Sequence, residues 1–413
     1  MKPFKLSSFI LFGLVSLFSC RKDEAAKKIT TYNKSESVSS LNFPLIVASS
    51  DKSTNIINAI NGNVINYYSF LGDLNGNQSQ SPLFTDTLII NFFGNSVFAM
   101  RIKDSTIKWK TILNAGFSGN GYQYTSYSCI NNKLVMFYSE LNLFRHQYGV
   151  YGLNLSNGKI EWVNKDFIGS VSIPAYANNT LVINGYEFIS LLGYMYAIDA
   201  TTGKTKWKII DSSRVAPACI DGNKFYYAAR TDNLNGSLDT LFSRNVADGS
   251  LNWKRTIPSI YVNHSTPLVS GNYLYINLGN ELLCADKNTG ATIWEFKMSE
   301  PNYTFSAPYF YDDKVFINEI YSATSYLISI NAINGKKIWA RKLPTTTFTD
   351  GPVVMNNTVY LRDGSNIDAF DPVSGALIFK TPTKYYQTAN PAYSPTFVDA
   401  NGNMVYSTES GMH

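Results

Sequence analysis

Four cysteines and three histidines are the side chains in this 413-residue chain best suited to nucleophilic, redox or metal chemistry. Their spacing gives them little of it. Cys129, Cys219 and Cys284 stand far apart, no two cysteines are adjacent, and three thiols cannot pair off among themselves. They read as small buried apolar residues. His146, His264 and the terminal His413 are too few and too scattered for a multi-histidine metal centre or a histidine-driven hydrolase. No P-loop, zinc-type Cys/His cluster or nucleophile elbow occurs. The expectation is therefore no catalytic residue, no metal and no cofactor. The fourth cysteine differs, because Cys20 directly follows an apolar run from Leu6 to Ser19 that Lys2 and Lys5 precede. That run is too short to span a bilayer stably and has the layout of an export signal.

The segment Leu17-Phe18-Ser19-Cys20 resembles the lipobox of bacterial lipoproteins. The resemblance implies that residues 1–19 are a signal peptide and that Cys20 becomes the lipid-bearing N-terminus, a membrane anchor carrying fatty acyl chains such as palmitate. Each buried methylene adds about 0.8 kcal/mol, so several chains hold a protein firmly. Arg21-Lys22-Asp23-Glu24 is similar to the surface-export signal of Bacteroidetes lipoproteins. The polar stretch from residue 20 to 41 reads as a flexible tether. Outer-membrane attachment follows, on the periplasmic or the outer side.

What must be positioned lies beyond residue 42. Hydrophobic residues make up 45% of the chain and charged ones 16%, so the chain can bury a large core and disorder is excluded. With 28 Tyr and 25 Phe, strands are favoured over helices. A net charge of +5 is too small and too scattered for a nucleic-acid footprint.

Every tryptophan sits in one repeated pattern: Trp109, Trp162, Trp207, Trp253, Trp294 and Trp339, with Phe379 in a seventh copy and Tyr67 one residue out of register in an eighth. Four residues before the aromatic stands Gly158, Gly203, Gly249, Gly290, Gly335 or Gly375, which suits a tight turn of positive φ; Ser105 replaces it in one copy. Eight before it stands Asn154, Asp199, Asn245, Asp286, Asn331 or Asp371, able to bond the backbone of the turn; Arg101 departs from that rule. Upstream, a proline opens an apolar strand in seven copies, while Ser128-Cys129 takes its place in another. A tight turn such as Asn178-Asn179, Asp221-Gly222 or Asp312-Asp313 follows. The reading is all-β: an eight-bladed β-propeller of four-stranded antiparallel blades over residues 42–413, monomeric, with the C-terminal strands joining the N-terminal blade. The repeated aromatics and glycines build the fold and catalyse nothing.

The copy Ala197-Ile-Asp-Ala-Thr-Thr-Gly-Lys-Thr-Lys-Trp207 resembles the PQQ-type propeller repeat, the family of quinoprotein alcohol dehydrogenases and of BamB outer-membrane assembly lipoproteins. In its enzymatic branch the resemblance implies adjacent cysteines against the cofactor, and this chain has no such pair. The resemblance to the assembly branch implies a non-catalytic scaffold that docks a protein partner, for instance the β-barrel assembly machinery. The alternative is a surface lipoprotein that binds glycan or another ligand, and the third reading is a PQQ-dependent dehydrogenase.

Connection lengths mark where a partner would dock. The first-to-second and third-to-fourth strand turns are uniformly tight, whereas the other face carries long pieces: 139–148 and 184–194 between second and third strands, and 115–127, 258–264 and 380–390 between blades. They hold Tyr122, Tyr124, Phe144, Arg145, Tyr186, Phe188, Tyr261, Tyr303, Tyr385 and Tyr386 as a candidate binding rim, since aromatic and Arg side chains anchor interfaces.

Overall fold

The structure is a computed structural model. It describes Phe43 to Val405 except 51–52, 70–81, 86, 94–95, 103, 105, 114–121, 131, 143–144, 168–169, 172–173, 188–191, 212–213, 234–235, 259–264, 279–280, 298–303, 322–323, 344–350, 364–365, 382–395 and 401–403. The expected signal peptide, Cys20 and tether lie outside the described residues. The described residues form strands joined by turns, with no helix among them.

Each repeat folds into one antiparallel sheet, and there are eight. In blade 2 the strands A to D are Leu83–Phe84, Leu88–Phe93, Ser96–Arg101 and Ile107–Ile112, in that order across the sheet. Blades 3 to 8 follow the same order. Blade 1 is composite. Leu45–Ser50, Ser53–Asn58 and Val64–Ser69 supply strands B, C and D, and Thr396–Val398 from the other end of the chain supplies strand A. Leu45 pairs with Val398 and Val47 with Thr396, as the expected end-to-end closure requires. A fifth strand, Met404–Val405, lies beyond Thr396–Val398 and pairs with it.

The core explains why a ring is the stable form. Its eight clusters are each shared by two neighbouring blades. Trp294 of blade 6 packs with Val315 and Ile330 of blade 7, for example. Ile46 and Ile57 of blade 1 pack with Tyr360 and Ile367 of blade 8. A single blade leaves two apolar faces bare, and only closure covers them all. The A strands of most successive blades touch one another, so they surround the axis. The D strands form the outer wall, with alternating exposed and covered residues, as in Ile107–Ile112.

The repeated residues do what their chemistry allows. Gly335 turns with φ +70°, and an added Cβ would come within 2.7 Å of the Trp294 ring of the preceding blade. The indole Nε1–H of Trp294 donates to the carbonyl of Ala332 in that turn at 2.9 Å. The same clasp recurs from Trp109 to Leu155, Trp162 to Ala200, Trp207 to Val246, Trp253 to Lys287 and Trp339 to Pro372. Phe379 closes the ring against Gly62, whose φ is +73°, and the hydroxyl of Tyr360 donates to Ala59 O at 2.7 Å. The polar residue at the turn accepts from its backbone, as Asp199 Oδ1 does from the Thr201 and Thr202 N–H groups. Asn66, not Tyr67, takes the register place of the tryptophan in blade 1. The A–B turn of blade 5 is Gly222-Asn223, one residue later than Asp221-Gly222, because Asp221 pairs with Lys224.

Candidate binding rim

Four blades stand taller than the others on the face that carries the B–C connections. In blade 3, strands Lys133–Asn142 and Arg145–Asn154 pair along their full length, from Asn154 opposite Lys133 to Arg145 opposite Asn142. Blade 4 pairs Thr180–Glu187 with Leu192–Asp199, and blade 7 pairs Lys314–Tyr321 with Thr324–Asn331. Blade 5 pairs Lys224–Asn233 with Gly236–Asn245, closing at Asn233 opposite Gly236. Blades 2, 6 and 8 keep B and C strands of five or six residues.

This corrects the expected loops. Residues 139–142 and 145–148 are strand, leaving only 143–144 between them, and 184–187 and 192–194 are strand as well. Tyr122 to Tyr127 belong to strand A of blade 3, Tyr122–Ile130. A ribbon held by backbone hydrogen bonds needs no buried face, so its sequence carries no strict alternation and reads like a loop. The tall hairpin of blade 5 was not anticipated. The turn-forming run Asn233-Leu234-Asn235-Gly236 is the signal that marks it.

Proline decides how the A strands meet this rim. In blades 4, 5 and 7 strand A comes in two pieces with Pro174, Pro217 and Pro308 between them, and proline offers no N–H to the ladder. The upper pieces, Ser170–Val171, Arg214–Val215 and Thr304–Phe305, pair with the raised part of strand B. Blade 3 has Ser128-Cys129 instead of proline, and its A strand is one piece of nine residues with a register shift between Tyr124 and Ser126. Where the ladder is interrupted, a serine two residues before proline accepts the orphaned strand-B N–H: Asn318 donates to Ser306 Oγ at 2.9 Å and Asn277 to Ser265 Oγ at 3.3 Å. Asn184 reaches across instead, donating from Nδ2 to Val215 O of blade 5 at 2.8 Å.

Charged groups stiffen the base of the blade 5 hairpin against blade 4. At the end of blade 4, Asp211 accepts from the Tyr227 hydroxyl of blade 5 and lies 3.6 Å from Arg244 Nη2. Arg244 Nε also donates to Tyr227 Oη at 2.7 Å. Burial, with the Asp211 carboxylate beside it, pushes the Tyr227 phenol well above its ordinary range, so it stays a neutral donor. Further up blade 5, the register sets buried Arg230 opposite buried Asp239.

Of the expected rim residues, the structure brings Tyr122, Tyr124 and Arg145 onto the raised strands of blade 3, opposite Glu140, Tyr138 and Asn142. Tyr186 is half-buried on blade 4, opposite Ser170 and Gly193. Phe144, Phe188, Tyr261, Tyr303, Tyr385 and Tyr386 lie outside the described residues. Cys284 is buried, with its thiol pushed up to about 12 by burial. Burial, then the nearby Asp221 carboxylate, also pushes the Cys219 thiol up to about 12. Among the described residues, no three His, Cys, Asp or Glu side chains converge as a metal site.

Three comparisons set this architecture among known proteins. The chain is similar in fold to BamB from Moraxella catarrhalis, at 14% identity and TM-score 0.51, over 83% of this chain and 94% of that one. It is similar to quinohemoprotein alcohol dehydrogenase ADHIIG from Pseudomonas putida HK5, at 13% identity and TM-score 0.54, over 75% of this chain and 67% of that one. A curated relative, tetrathionate hydrolase from Acidithiobacillus ferrooxidans, is 23% identical over 252 residues, 55% of this chain and 48% of the relative. The chain thus spans about half the length of that relative. At these identities the solved structures share the fold alone. A family model described as outer membrane protein assembly factor BamB matches residues 41–209 and 235–410, and the chain belongs to that PQQ-repeat propeller family.

Proposed function

We propose that this chain is a non-catalytic scaffold, anchored through a lipid on Cys20 to the outer membrane, whose raised rim docks a protein partner. The observation that carries the reading is the uneven rim. Blades 3, 4 and 5, side by side, and blade 7 lengthen their B–C hairpins, while blades 1, 2, 6 and 8 keep theirs short. Such ribbons offer strand edges and side chains on a rigid base, which suits docking or strand addition. The desolvated thiols of Cys219 and Cys284, held protonated at neutral pH, favour a structural over a nucleophilic role. Membership of a family described by outer-membrane protein assembly points to a component of the barrel-assembly machinery as the partner.

Co-purification of the full chain at native expression from detergent-solubilised outer membrane tests this. Recovery of a barrel-assembly protein is expected, and recovery of the chain alone contradicts it. Arg21-Lys22-Asp23-Glu24 favours a second reading, a ligand-binding lipoprotein on the cell surface. Protease shaving of intact cells separates the two, because a periplasmic scaffold is protected. The enzymatic alternative predicts turnover of tetrathionate, or dye-linked alcohol oxidation with PQQ and calcium, and the scaffold reading predicts neither.

A further inference from the structure

We infer that the turn face of blades 7, 8 and 1 rests on the surface of a phospholipid bilayer. The inference builds on the anchor in the reading above but not on the docking rim. Its first observation is where the folded chain begins. Pro44 occupies the place of an A–B turn residue, and its carbonyl accepts from Ala59 N–H at 3.0 Å, beside the C–D turn of blade 1. The described chain therefore enters the ring at that corner, and Cys20 lies 23 residues before Phe43 in sequence. As a flexible chain the 22 residues from Arg21 to Asn42 would span roughly 26 Å on average and about 75 Å at most, so a lipid on Cys20 would hold this corner within that distance of its membrane.

The second observation is what surrounds the corner. Each C–D turn has a position two residues after its Asn, Asp or Arg. It is Ser156, Thr201, Ala247 and Asn288 in blades 3 to 6 and Lys103 in blade 2. In blades 1, 7 and 8 it is Ile60, Ile333 and Val373, exposed by 61%, 57% and 64%. These blades are consecutive around the closed ring, so equivalent positions place the three side chains on one face of neighbouring blades. Ile338, Leu377 and Ile378 at the adjoining starts of D strands are also exposed. Exposed aliphatics at D-strand starts recur in blades 2, 5 and 6 as Ile107, Leu251 and Ile293, so the turn position is what sets blades 7, 8 and 1 apart. Single exposed aliphatics are ordinary, but the same exposed turn position made aliphatic on three consecutive blades is not.

The third observation is rigidity and charge. The carbonyls just before Ile60, Ile333 and Val373 are each held by the preceding blade, through Tyr360, Trp294 and Trp339. The aliphatics therefore cannot fold inward. Exposed Lys336 and Lys337 follow Ile333 in the chain and can meet lipid phosphates, while exposed Asp312 and Asp313 stand at the A–B turn of the same blade, Asp312 paired with Lys314. An aliphatic tip followed by lysine, on a fixed turn beside an anchored chain end, fits the interfacial zone of a bilayer.

The test uses the chain from residue 21 onward, which lacks any lipid but keeps every described strand. Co-sedimentation with vesicles of phosphatidylethanolamine and phosphatidylglycerol is measured for this chain and for its Ile60→Ser, Ile333→Ser, Val373→Ser triple variant. Threonine, which blade 4 carries at Thr201, serves as a second set should serine unsettle the turns. Binding of the parent and a loss of roughly tenfold or more in the triple variant are expected. The control Leu251→Ser, exposed on blade 5, should bind like the parent. No binding by the parent, equal binding by the triple variant, or equal loss in the control overturns the inference. So does a parent that is a dimer and a triple variant that is a monomer, since the face would then meet a second copy. Failure of the anchor reading is seen separately, as unmodified Cys20 in the mass of the membrane-extracted full chain.

Discussion

At the residue scale, one glycine and one indole explain the strength of the ring. Gly335 is required twice, by its positive φ and by the Trp294 ring that an added Cβ would meet at 2.7 Å. Strain of the backbone costs about 1 kcal/mol and the overlap about 1–3 kcal/mol. Gly335→Ala should therefore lower stability by about 2–4 kcal/mol, read as a shift in the urea midpoint. A side chain that leaves the midpoint unmoved would show that the clasp is slack. The turn carboxylates add a pH dependence of defined sign. Backbone and side-chain hydrogen bonds from Ser374 hold Asp371 below its ordinary range. For Asp286, partial desolvation opposes the shift, but bonds from Asn288 and Thr289 outweigh it. A depressed folded pKa contributes stability that is full above about pH 4, the unfolded value, and fades as pH falls below it. Stability should drop on acidification through that window, and the paired Asp286→Asn, Asp371→Asn variant should show a shallower drop. An identical acid profile for that variant would remove these carboxylates from the account.

At the element scale, the hairpin is the unit, and its length is the variable. Deleting Thr231 to Leu238 and closing the ribbon with Asn-Gly should leave the melting temperature within a few degrees, because the eight clusters of the ring lie elsewhere. Removing residues 396–413 should do the opposite, since Thr396–Val398 is strand A of blade 1 and Phe397 packs with Tyr360 of blade 8. Limited proteolysis should then cut early within Leu45–Ser69, and protection there equal to the parent would contradict the closure. The repeat was legible in sequence because docking imposes the same residues on every blade: an indole, a glycine four before it, a turn acceptor eight before it. The rim was legible only in position. Residues 139–148 looked like loop because a paired ribbon without a mandatory buried face shows no period, and blade 5 carried its cue in a single turn. Broken A strands could have been read from Ser306-Ala-Pro308, where the serine replaces the ladder partner that proline interrupts.

At the scale of the whole molecule, the two faces divide the work. The turn face is short, and near the chain entry it is apolar; the rim face is raised on blades 3, 4, 5 and 7. A ring whose turn face rests on a membrane would hold the opposite rim away from that membrane, toward partners in the adjoining aqueous compartment. The central claim is that the raised hairpins of blades 3 and 5 hold a protein partner. Cross-linking in intact cells, with partners identified by mass spectrometry, compares the full chain with one in which both hairpins are trimmed to the length seen in blade 6. The account predicts a barrel-assembly protein linked to the full chain and lost from the trimmed one, with membrane attachment unchanged in both. An equal yield of the same partner from the trimmed chain would contradict it.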